Sequence, residues 1–60
     1  MPLIHVKLYD RRVTEESTPK IIQALTDALV SVTEEGIREH TWVIVEGVSP
    51  ACWGIGGKAG

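Results

Sequence analysis

The sequence predicts an α/β fold: a single β-α-β unit with a short C-terminal hairpin, pairing into a dimer with a larger sheet and helices on one face. Three observations carry this. Residues alternate between two faces from Leu3 to Tyr9, apolar residues recur at helical spacing from Ile21 to Val32, and the run from His40 to Glu46 is rich in β-branched and aromatic side chains. A strand, helix, strand order closes as a right-handed parallel crossover. One such unit is too little sheet to be stable, so the fold requires a partner.

In the first strand, Ile4, Val6 and Leu8 form an aliphatic face that should meet a helix. Leu3, His5, Lys7 and Tyr9 form a mixed face, suited to another subunit or a pocket. The strand begins at Pro2, which becomes the N-terminal residue once Met1 is removed. Its amine is then a secondary amine that the ring points in one direction, and burial beside cations penalises the protonated form. Pro2 is on that reading a base usable at neutral pH; on the plainer reading it marks only the trimming of methionine. Past the strand, Asp10-Arg11-Arg12 breaks the alternation and delivers two guanidinium groups. These serve as a solvated charged turn or as a fork of donors that captures a carboxylate.

Two helix starts fit the next segment. With Thr14 as the N-cap, Glu15 and Glu16 lie in the first turn and Pro19 removes one helical hydrogen bond; with Thr18 as the cap, Pro19 takes the favoured first position. Ile21, Ile22, Leu25, Ala28, Leu29 and Val32 make the apolar stripe, and Gly36 is the residue expected to close the helix. In the second strand, Val43, Ile44 and Val45 are consecutive and apolar, as in a strand covered on both faces.

The glycine-rich tail, Trp53-Gly54-Ile55-Gly56-Gly57-Lys58-Ala59-Gly60, imitates a dinucleotide-binding turn. That motif must open a helix inside a longer βαβ unit, and only three residues follow Gly57. A tight turn or small hairpin tied to a neighbouring subunit is the expectation. Cys52 stands alone as a packed or surface thiol, and His5 and His40 are expected to be structural, with no metal pattern.

Sixty residues form one domain, 1–60, too small to bury a sizeable core alone, and with one cysteine the expected remedy is oligomerisation. A hydrophobic content of 43% argues against disorder, and a net charge of -2 without a basic patch argues against a nucleic-acid partner. Without a signal peptide or membrane span, the expected location is cytoplasmic.

The combination of Pro2, Arg12 ten residues later, an amphipathic helix, a β-branched strand and Trp53-Gly54-Ile55-Gly56-Gly57 resembles the small subunits of the 4-oxalocrotonate tautomerase family. The resemblance covers nearly the whole chain. It implies hexamers built from three dimers, with active sites at subunit boundaries. It further implies an isomerase that interconverts 2-hydroxy dienoate and 2-oxo forms of a small unsaturated acid, as in aromatic hydrocarbon catabolism. Pro2 is then the general base and Arg12 the carboxylate ligand, with Trp53 as an aromatic wall and Arg11 and Trp42 beside the substrate. No metal or organic cofactor is expected, because substrate conjugation carries the electrons.

One position departs from the family pattern. Counting back from the Trp53 motif, Trp42 stands where the best-known members carry a second catalytic arginine, which polarises the substrate oxygen. An indole offers one neutral donor there, so Arg11 and Arg38 become candidate substitutes. The departure also keeps open a non-catalytic subunit completing a mixed hexamer. A hydratase or dehalogenase of the same superfamily is a further alternative, although it needs a water-activating carboxylate that the sequence does not identify.

Overall fold

The computed structural model describes residues 1–60. Strand β1 spans Leu3–Tyr9, helix α1 Ser17–Val32 and strand β2 Trp42–Val48. β1 and β2 are parallel, with Leu3 opposite Trp42, Val6 opposite Val45 and Tyr9 opposite Val48. The predicted βαβ crossover is therefore present, and α1 packs against β2. Strands β3 (Gly54–Ile55) and β4 (Lys58–Ala59) form the short antiparallel hairpin. Its two-residue loop holds Gly56 at φ 59° and Gly57 at φ 85°, which tight hairpins require and side chains resist.

The start of α1 resolves the two caps expected from sequence. Ser17 N–H donates to Thr14 Oγ1 at 2.9 Å, Thr14 N–H donates back to Ser17 Oγ at 3.0 Å, and Thr18 N–H donates to Thr14 O at 3.0 Å. This reciprocal pair satisfies two amides that the first turn leaves free. Thr14 is thus the cap, and the backbone is already helical at Glu16 before the regular helix begins.

The other end differs from expectation. Gly36 does not close the helix; α1 stops at Val32, and Gly36 lies in a 3-10 turn, Glu35–His40. Thr33 supplies the stop: its backbone leaves helical angles while its hydroxyl donates to Leu29 O at 2.8 Å, capping a carbonyl without glycine. The same turn delays β2. His40 remains in it, Thr41 Oγ1 donates to Ile37 O, and the ladder starts at Trp42 and runs on to Val48.

The helix stripe also shifts. Ile21, Leu25 and Leu29 are half-buried against the sheet, but Val30, outside the expected stripe, is the one buried residue, at 9% exposure, and Val32 is exposed. The layer is two-sided only in part. Ile4, Val6, Leu8, Val43 and Val45 are half-buried, whereas the opposite face presents Leu3 at 59%, Trp42 at 58% and Ile44 at 45% exposure. On that face His5 Nε2 and Glu46 Oε1 are 2.8 Å apart. No helix is long and apolar enough to cross a membrane.

Candidate active site

Parallel pairing gathers the predicted site residues into two groups. Pro2 and Trp42 share one end of the sheet, where Trp42 N–H donates to Pro2 O at 3.0 Å. That bond extends the ladder by one step through the carbonyl of Pro2, and the proline nitrogen takes no part in it. Pro2 is half-buried and Trp42 exposed.

Arg11, Arg12 and Trp53 gather at the other end. β1 has seven residues, so at a rise of about 3.3 Å each the two groups lie about 23 Å apart. A small acid cannot touch Pro2 and Arg12 of the same chain.

The arginine end is firmly built. Asp10–Arg12 form one 3-10 turn, closed by Val13 N–H to Asp10 O at 3.0 Å, and Ser17 Oγ donates to Arg12 O at 2.7 Å. Ser17, the partner of the Thr14 cap, therefore also pins the arginine turn. Gly47 of β2 lets that turn approach: a Cβ there would lie 3.2 Å from Asp10 Cα. Arg12 is exposed and joins no ion pair, so its guanidinium is available to an anion.

Arg11 is engaged differently. Its guanidinium carbon stands 5.4 Å above the centre of the Tyr9 ring, a cation–π contact. The ring of Trp53 packs on Tyr9 with centroids 4.7 Å apart and planes tilted by 39°. Tyr9 Oη also donates to Gly60 O at 3.1 Å, and Gly60 N–H donates to Trp53 O at 2.8 Å. Tyr9 was not among the candidate residues read from sequence. Its signal was weak, a single aromatic at the end of a strand, and only the returning tail reveals its role.

Arg38, the other candidate for the missing second arginine, is taken. Its guanidinium bonds Asp27 Oδ1 at 2.6 Å and Glu35 Oε1 at 2.9 Å. These bonds, to Glu35 first and then Asp27, raise its pKa above the usual arginine range. The pairs tie the turn before β2 to α1 and leave Arg38 poorly placed to serve a substrate. The surface depression beside it is lined by Glu35, Gly36, Arg38 and Glu39, none of them a predicted site residue except Arg38.

The sequence matches the family described as tautomerase enzymes over residues 2–59, nearly the entire chain. The chain belongs to the tautomerase family. In tertiary structure it is similar to the crystal structure of DmpI from Helicobacter pylori, with a TM-score of 0.85 and 27% sequence identity, over 97% of this chain and 88% of that one. Among curated proteins nothing matches the chain. Both likenesses agree with the 4-oxalocrotonate tautomerase resemblance carried by Pro2, Arg12 and the Trp53 motif.

Proposed function

We propose that the chain is a cofactor-independent tautomerase of a small unsaturated 2-hydroxy acid, working from Pro2 after removal of Met1. The observation that carries this is the separation of Pro2 from Arg12 along a seven-residue strand in a chain of the tautomerase family. It makes the single chain half a site twice over, and a ring-like assembly joins the halves. A hexamer, as the family resemblance implies, brings the Pro2–Trp42 end of one subunit to the Arg12–Trp53 end of another.

In such a joined site, Arg12 holds the substrate carboxylate by a charge-assisted pair, and the Trp53 indole excludes water on one side. The Pro2 nitrogen takes the proton of the 2-hydroxyl. As the electrons shift through the conjugated chain, the same nitrogen returns the proton to a carbon, leaving the 2-oxo isomer. The ring keeps the lone pair fixed in direction, and nearby guanidinium charge favours the neutral, basic form.

Met1 must be absent, because acylation by methionine would turn the base into an amide. Intact-mass measurement on active protein should show loss of one methionine. Pro2→Ala should cut turnover strongly while the far-ultraviolet spectrum is unchanged; full activity with Met1 retained rejects the mechanism.

The second reading is a non-catalytic subunit of a mixed hexamer. Trp42, exposed beside Leu3 and Ile44 on the open sheet face, favours it because an indole there suits packing as well as chemistry. Turnover of an enol substrate by the chain purified alone separates the two.

A further inference from the structure

We propose that Tyr9 is a positioning residue that sets the acid specificity of the site, by holding Trp53 and Arg11 in place so that an acid with a flat conjugated or aromatic tail is preferred. The inference rests on the tautomerase reading for the acid, and on the geometry around Tyr9 for the rest.

Tyr9 makes three kinds of contact at once. Its ring packs against Trp53 at 4.7 Å and lies under the Arg11 guanidinium at 5.4 Å, and its hydroxyl reaches Gly60 O. The hairpin has few other anchors: Gly54 to Gly60 are all exposed, while Trp53 is half-buried. Tyr9 and the Gly60–Trp53 backbone bond therefore fix where the indole stands. Tyr9 also lies on the uncovered face of the sheet, with Leu3, His5 and Lys7, so its edge is not sealed under α1.

Two consequences follow for binding. Arg11, held over Tyr9, and Arg12, without an ion-pair partner, are neighbours in chain but not equivalent in role: Arg12 takes the carboxylate, and Arg11 adds positive charge to the aromatic shelf. The two rings present a broad apolar surface beside that carboxylate position. A planar tail gains offset or tilted stacking there, and a short aliphatic diacid gains none.

The test uses the intact protein and a non-reacting probe, so it does not depend on turnover. Calorimetric titration with trans-cinnamate, an aromatic monoacid, and succinate, a short saturated diacid, gives the ratio of the two dissociation constants. Tyr9→Leu should weaken cinnamate binding by about tenfold, the value of one aromatic contact, and change succinate binding by less than about twofold. Tyr9→Phe keeps the ring and loses only the Gly60 bond, and should bind cinnamate within about threefold of wild type. In steady state, Tyr9→Leu should raise KM for an aromatic enol acid and leave kcat and the pH profile nearly unchanged. Equal loss for both probes, or equal loss in Tyr9→Phe and Tyr9→Leu, overturns the proposal. Ring-dependent cinnamate binding by a protein that turns over no enol would uphold Tyr9 and reject the tautomerase reading instead.

Discussion

Arg38 and Arg12 show how the same side chain takes different work from its surroundings. Arg38 sits between Asp27 and Glu35, whereas Arg12 joins no ion pair on the far side of the sheet. Arg38→Ala should therefore leave kcat/KM within about twofold, since exposed pairs contribute little even to stability. Arg12→Ala should raise KM for an acid substrate by about tenfold to a hundredfold, the loss of a charge-assisted bond, with kcat less affected. Steady-state kinetics on both variants checks this, and a large loss in Arg38→Ala with assembly intact contradicts the assignment. Trp42 makes the complementary prediction. With an indole where the resemblance would place the family's second arginine, kcat/KM for the dicarboxylate 2-hydroxymuconate should fall well below about 10⁷ M⁻¹s⁻¹, and Trp42→Arg should raise it. An aromatic monoacid enol such as phenylenolpyruvate should be handled relatively better by the wild type. Efficiency near the diffusional range for the dicarboxylate would mean another group supplies the charge.

Among the elements, α1 links stability to the site most directly. Thr14 caps it, and Ser17, in return, bonds both Thr14 and the carbonyl of Arg12. Thr14→Ala should cost about 1 kcal/mol, seen as a fall of several degrees in Tm at fixed protein concentration. Thr14→Ser should be nearly neutral, and an unchanged Tm in Thr14→Ala would show that the cap is dispensable. The existence and order of the elements were legible in the sequence, because alternation from Leu3 and the helical spacing from Ile21 are local patterns. Their ends were less so. Gly36 carries the usual signature of a helix end, yet a threonine hydroxyl at Thr33 closes α1 first. Gly47 reads as a weak point in a strand, and only the fold shows that its missing Cβ admits the arginine turn. Tyr9 was illegible as a site residue for the same reason: its partners Trp53 and Gly60 lie more than forty residues away.

At the scale of the whole molecule, the chain leaves much of its apolar surface open. One residue of sixty is buried, and an apolar sheet face with Leu3, Trp42 and Ile44 stands open. A surface of that kind marks an interaction site. Sedimentation at micromolar concentration should show an oligomer, a hexamer on the proposed reading; a folded monomer would remove the basis for a shared site. The sequence indicated partners through its short length, but the proposed division of the site rests on the fold, which puts Pro2 and Arg12 at opposite ends of β1. That division is the central claim, and subunit mixing tests it most directly. Pro2→Ala protein, nearly inactive, and Arg12→Ala protein, nearly inactive at substrate concentrations far below its raised KM, are denatured together, refolded as a mixture and assayed at such a low substrate concentration. If each site takes its proline from one chain and its arginine from another, random assembly restores about one quarter of wild-type activity. If both residues serve from the same chain, every site carries one defect, and the mixture stays as inactive as its parts.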